Sequence, residues 1–192
     1  MTKIAIIIGS TRPGRKADAV ADWVHDIAAR RDDAEFEVVD LKDFNLPLLD
    51  EAMPPSMGQY SQPHTVVWAK TIADYDGYVF VTPEYNHAPS GALKNAIDFL
   101  YAEWNNKAAG FVSYGSAGGT RAVEQLRQVM GELQIADVRA QVALSLVTDF
   151  ENWSTFKPAP RHEHSVNQML DQVVAWSTAL KAVREPALPA AA

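Results

Sequence analysis

The chain has 192 residues, no cysteine, and 17 basic against 24 acidic residues, for a formal net charge of −7. That length allows one domain with a substantial core, expected over 1–185 with a frayed tail at 186–192, and the missing thiols exclude disulfides, thiolate catalysis and iron-sulfur or zinc-thiolate sites, leaving any redox chemistry to a bound organic cofactor. The acidic balance argues against nonspecific nucleic-acid binding, and apolar runs far shorter than a membrane span, with no leader-like segment after Met1, predict a soluble cytoplasmic protein with no membrane insertion.

The first element, Lys3 to Ile8, is a continuous apolar run, the signature of a strand buried on both faces. Gly9-Ser10-Thr11-Arg12-Pro13-Gly14-Arg15-Lys16 interrupts it, and a helix follows with Ala17, Val20, Val24, Ile27 and Ala28 on one face. A cationic helix N-terminus works against the helix dipole, so Arg12, Arg15 and Lys16 are poor capping residues and good anion ligands, helped by the Ser10 and Thr11 hydroxyls and the unpaired amides of the first turn. The spacing fails as a nucleoside-triphosphate loop, because Arg15 stands where lysine is required and Lys16 where a hydroxyl must reach magnesium. It fails as a dinucleotide fingerprint too, since no G-x-G-x-x-G follows the strand. A single terminal phosphate, gripped by hydroxyls, amides and guanidinium, fits better.

Glu35 to Leu41 reads as the second strand, and Asp40 at its end as a helix or turn cap. The Pro- and Met-rich stretch 46–63 is long for an internal connection and predicts a rim or partner contact, ahead of a helix over 64–75. Asp76 to Thr82 is a third strand, and it opens into Pro83-Glu84-Tyr85-Asn86-His87-Ala88-Pro89-Ser90 before a helix carrying Leu93, Ala96, Ile97 and Leu100. Prolines at both ends fix φ and remove two donors, so the intervening backbone is held in one direction and suits a flat ligand at the carboxyl edge of a parallel sheet. His87 is read as facing water. Ala109 to Tyr114 is a fourth strand, followed by Gly115-Ser116-Ala117-Gly118-Gly119-Thr120, whose small residues permit close approach of backbone donors, and then by a helix with Val123, Leu126 and Met130 inward. The last strand lies between Ile135 and Val147, and a helix spans about 163–183. His162-Glu163-His164 has no third ligand and reads as a solvated helix start; Asp149, Glu151 and Asn152 show no paired-acid spacing.

Taken together, Gly9 to Arg15, Pro83-Glu84-Tyr85-Asn86 through Pro89 with Leu93-Lys94-Asn95-Ala96-Ile97-Asp98, and Tyr114-Gly115 with Gly118-Gly119 resemble the NADPH-dependent FMN reductase family of flavodoxin-like proteins, over Lys3 to about Leu133. The resemblance implies an α/β, doubly wound five-stranded parallel sheet in the order 2-1-3-4-5, non-covalent FMN, and hydride transfer from NADPH or NADH to the flavin N5, followed by reduction of a second small acceptor: free flavin, quinone, azo compound or metal oxyanion. By position, Ser10, Thr11, Arg12, Arg15 and Lys16 take the FMN phosphate, Pro83, Glu84, Tyr85 and Asn86 lie along the isoalloxazine, and Gly115, Ser116, Gly118 and Gly119 close on its other polar edge. No catalytic side chain and no metal is assigned, because the flavin carries the chemistry. Lys16 and Ala17 depart from the usual pattern and shift the grip toward charge. The resemblance further implies a homodimer or homotetramer, which favours the aromatic cluster Phe99, Tyr101 and Trp104 as a subunit contact over a core cluster. A flavodoxin-type electron carrier is the alternative, disfavoured by the basic phosphate loop.

Overall fold

In chain order the elements are β1 (Lys3–Ile8), α1 (Ala17–Ala28), β2 (Glu35–Asp40), α2 (Leu41–Phe44), α3 (Pro63–Ala73), β3 (Gly77–Pro83), α4 (Gly91–Asp98), β4 (Ala108–Gly115), α5 (Thr120–Glu132), β5 (Ala136–Ser145), the two-residue strands β6 (Phe150–Glu151) and β7 (Thr155–Phe156), and α6 (Arg161–Arg184). This is a computed structural model and describes residues 1–184; the tail expected at 186–192 lies outside the described residues. The large sheet is parallel in the order β2-β1-β3-β4-β5, and β6 and β7 form a separate antiparallel hairpin.

Alternation of side chains sorts the strands' apolar residues between two cores. Ile4, Ile6, Ile8, Val79, Val81 and Val112 face α1 and α6. Ala5, Ile7, Tyr78, Phe80, Ala109 and Phe111 face α3, α4 and α5. Central strands β3 and β4 are buried along their whole length, which is why they read as unbroken apolar runs. Phe99 and Trp104 are fully buried in the second core, Trp104 packing edge-on to Trp68 and Tyr78, so the aromatic cluster is core and not a subunit contact; only Tyr101 is partly exposed.

From β1 the chain crosses to β2 on one side and returns to β3 on the other, so strand order reverses between β1 and β3. Loops leaving neighbouring strands in opposite directions open a crevice at their carboxyl ends, the place where such sheets bind ligands. The opposite edge is sealed. Asp76 accepts from the Lys3 amide at 2.9 Å and pairs with Lys181 at 2.8 Å and Arg184 at 2.5 Å. Buried Lys107 donates to the Ile72 and Ala73 carbonyls, capping α3, and to the Tyr78 hydroxyl. Burial brings its pKa down to about 7.

Candidate active site

The crevice at the carboxyl edge has a volume of about 300 Å³. The loop after β1 supplies Arg12, Gly14, Arg15 and Lys16; the loop after β3 supplies Pro83, Glu84 and Tyr85; Tyr114 and Gly115 end β4; Leu146 and Trp153 close the far side. Ser10 lies buried beneath, its hydroxyl 3.0 Å from that of Tyr85, so the first and second loops are tied by one hydrogen bond under the floor. Thr11 faces an adjoining cavity of about 330 Å³ with Lys42, Leu46, Ala92 and Asn95. Asn86 and Ser116 are exposed at the rim, while Gly118 and Gly119 are buried behind it.

The three cations of the first loop are not equivalent. Arg15 is bound already: it donates to Asp40 at 2.7 and 2.5 Å and to the Ser10 carbonyl at 2.7 Å, and pairs with Asp18 at 2.6 Å. These contacts, the Asp40 hydrogen bonds foremost, raise its pKa. Asp40 also accepts from the Lys42 amide as the N-cap of α2, so burial, which alone would raise its pKa, is outweighed and the carboxyl is held low. Arg15 therefore welds the first loop to the end of β2. Lys16 reaches across to the Ser154 hydroxyl at 3.1 Å. Arg12 is exposed and has no acidic partner among the described residues. The amides of Ala17, Asp18 and Ala19 begin α1 with no side-chain cap and no backbone acceptor. Gly9 makes the sharp exit from β1 possible: a Cβ there would meet the Val81 carbonyl at 2.8 Å.

The second loop is a tight reversal. Tyr85 and Ala88 exchange backbone hydrogen bonds at 2.9 and 3.1 Å, and Asn86 and His87 between them both take positive φ, 51° and 71°. Their own amides are left free and His87 is exposed. Glu84 is more inward than sequence suggests. Its amide donates to the Tyr114 carbonyl, and its carboxylate accepts from the Arg121 amide at 3.1 Å and pairs with the Arg121 guanidinium. Burial alone would raise the Glu84 pKa, but Arg121 and the first amides of α5 outweigh it and hold the carboxyl below the usual range. Glu84 thus caps α5 and clamps the second loop to the third. In the third loop Gly118 and Gly119 have φ of 69° and 71°, and a Cβ on Gly119 would lie 2.7 Å from Ser113.

Three features of the site escaped sequence reasoning. Tyr114 lines the crevice with its hydroxyl buried and without a partner, and burial raises its pKa. Trp153 comes from the β6–β7 hairpin, whose two-residue strands carry no periodic signal. Asp149 is buried under that hairpin, accepting from the Ser145 and Ala159 amides and lying 3.0 Å from His162 Nε2. His162 is therefore a buried partner of Asp149 and not a solvated helix start. Glu151 pairs with Lys157 at the surface. The inward pull on His162 comes from an acid 13 residues upstream, which no local pattern announces.

The crevice fits a phosphorylated planar cofactor on its own chemistry: an unpaired guanidinium, free helix amides, and an orphaned buried hydroxyl that lacks only an acceptor or donor. A family model described as NADPH-dependent FMN reductase matches residues 2–149. An NAD(P)H-dependent FMN reductase of Nectria sp is 41% identical over 158 residues, 78% of this chain and 79% of that one, and another of Schizosaccharomyces pombe is 43% identical over 149 residues, 77% and 74%. A 2-hydroxy-1,4-benzoquinone reductase of Burkholderia sp is 31% identical over 140 residues, 69% and 72%. The solved flavoenzyme NAD(P)H:(acceptor) oxidoreductase of Paracoccus denitrificans superposes with a TM-score of 0.72 at 18% identity over 93% of this chain and 98% of its own, a likeness of fold. All three polar loops and the strand reversal that opens the crevice fall inside the matched span, so the chain belongs to the NADPH-dependent FMN reductase family and is an oxidoreductase that uses FMN and a reduced nicotinamide dinucleotide.

Proposed function

We propose that residues 1–185 act as one FMN-binding domain in which the first loop holds the cofactor phosphate, the second and third loops hold its ring, and a small oxidant takes the electrons in the same crevice. FMN when bound supplies the redox chemistry, accepting a hydride from the nicotinamide and passing electrons to the acceptor. The carrying observation is the unequal state of the three first-loop cations. Arg15, saturated by Asp40, Asp18 and the Ser10 carbonyl, fixes the loop, while Arg12, with no acidic partner among the described residues, is left to meet the phosphate. The α1 amides add donors aligned with the helix dipole, and Lys16, Ser10 and Thr11 stand at the same edge.

The side chain of Glu84 positions the ring-binding loops; it is directed at Arg121 and away from the ligand. That leaves the amides of Asn86, His87 and Ser116, which have no hydrogen-bond partner among the described residues, as donors available to the ring's polar edges. Pro83 and Tyr85 wall the crevice, with Tyr85 braced from below by Ser10. Gly115 and Gly118 bring the third loop's backbone close.

The acceptor class is quinone or free flavin, as the names of the relatives suggest; an open crevice of this size extends the range to azo compounds and metal oxyanions. Exposed Leu48, Met57, Val66 and Val67 on the 46–63 rim and α3 support a homodimer or homotetramer built on that side. Dependence on reduced nicotinamide, which cells hold internally, supports a cytoplasmic location; among the described residues no helix is long and apolar enough to cross a membrane. The test is an anaerobic spectrum of the FMN-loaded protein. Loss of flavin absorbance on adding NADPH alone is expected, and a spectrum that bleaches only with a partner reductase would mark an electron carrier.

A further inference from the structure

The crevice is bordered by two tight turns built alike. In each, two consecutive residues adopt positive φ: Asn86 and His87 at 51° and 71°, Asn152 and Trp153 at 50° and 58°, with the closing hydrogen bonds Ala88 to Tyr85 at 3.1 Å and Ser154 to Glu151 at 3.0 Å. Such turns demand left-handed backbone at both central positions, where Asn followed by Gly is the low-strain choice. The chain places a tryptophan there instead. Bulky side chains in that region are rare and strained, and they persist where the surroundings hold them for a purpose.

The surroundings do hold this one. The hairpin root is packed by Phe150 on Phe156 at 5.0 Å, Phe156 on Trp23 at 5.5 Å and Phe150 on Tyr114 at 6.1 Å. Below it Asp149 collects the Ser145 and Ala159 amides and His162. The tip is latched to the cradle by Ser154, whose hydroxyl accepts from Lys16. A rigid base thus presents an indole that is 61% exposed and lines the same crevice as Arg12 and Tyr114. The hairpin begins at residue 150, just past the segment that the family model matches.

We infer that Trp153 is a cofactor-contacting residue, an aromatic wall that covers bound FMN and slows its release. This rests on the crevice taking FMN, as proposed above. An indole beside a phosphate cradle lowers local water access, which strengthens every contact between the anion and its cations, and its face offers stacking to a planar ring. The link through Ser154 and Lys16 couples the wall to the phosphate grip.

The experiment compares wild type, Trp153→Gly and Trp153→Phe by flavin fluorescence titration, FMN release rate, and melting of the FMN-free protein. Trp153→Gly is expected to raise the FMN dissociation constant roughly tenfold, mainly through faster release, which is the scale of losing one aromatic stacking partner. Its FMN-free melting temperature is expected not to fall, because glycine is at ease in the left-handed region. Trp153→Phe should keep most of the affinity. Unchanged FMN binding and release in Trp153→Gly overturns the inference, as does a rise confined to the KM of nicotinamide or quinone, which would assign the indole to the substrate. Weaker FMN binding accompanied by a lower FMN-free melting temperature overturns it too, since the tryptophan would then be structural. A wild-type chain that takes up no FMN sinks the cofactor reading itself, and that result precedes any variant.

Discussion

The two ends of one sheet are built to opposite rules. At the amino edge every buried charge is answered: Asp76 holds the Lys3 amide, Lys181 and Arg184, and Lys107 donates to two helix carbonyls and a tyrosine. At the carboxyl edge, among the described residues, Arg12 has no acidic partner and the Tyr114 hydroxyl no hydrogen-bond partner, and four residues of two turns take left-handed backbone. Polar groups left without partners destabilise a fold, and two that line the crevice, the Arg12 guanidinium and the Tyr114 hydroxyl, stand where a ligand can complete them. The amino edge holds the chain together; the carboxyl edge is held ready.

If that division is right, substitutions at the two ends should separate stability from binding. The largest effect is expected from Lys107→Ala, which removes a buried aliphatic stem and leaves the Ile72 and Ala73 carbonyls and the Tyr78 hydroxyl without their donor; unfolding in denaturant should show a loss of about 2–4 kcal/mol, with FMN affinity retained. Arg12→Ala should do the reverse, weakening FMN binding by roughly 1.5–3 kcal/mol with stability unchanged, as a charge-assisted contact is lost. An Arg12→Ala protein that melts early, or a Lys107→Ala protein that loses only FMN, would break the comparison.

Acidity provides a further probe. A lysine whose folded pKa is about 7, against roughly 10.4 when unfolded, binds fewer protons native than unfolded between those values, so stability should rise as pH increases across that window. Lys107→Met should flatten the rise. At the other edge Glu84 has a lowered folded pKa, so its clamp on Arg121 contributes fully above the ordinary glutamate range and is lost as pH falls through the folded value. The smallest effect is expected from Tyr114→Phe. Removing an orphaned hydroxyl should leave FMN-free stability level or slightly higher, while FMN binding weakens by about 0.5–1.5 kcal/mol.

Much of this was legible in the residues. The runs Ile4 to Ile8, Val79 to Thr82 and Ala109 to Tyr114 read as central strands because burial on both faces keeps them apolar until Thr82 and Ser113 near their carboxyl ends, and Pro83 and Gly9 mark where two of them end. What stayed hidden depends on distance along the chain. Arg15 meets Asp40 across 25 residues, so its saturation, and hence the special standing of Arg12, is a fact of the β1–β2 pairing. Glu84 finds Arg121 only once β3 and β4 lie side by side. His162 and the Phe99 and Trp104 cluster differ from their sequence-based expectation for the same reason: burial by elements far away along the chain overrides a polar or terminal neighbourhood. The β6–β7 hairpin is too short for any period.

The most direct measurement is the binding of FMN and of riboflavin, which lacks the phosphate, to wild type and to Arg12→Ala. Wild type should hold FMN far more tightly than riboflavin, and the gap should narrow in Arg12→Ala while riboflavin affinity stays the same. Equal affinity of wild type for the two flavins, or a gap that Arg12→Ala leaves intact, would contradict a phosphate grip centred on that residue.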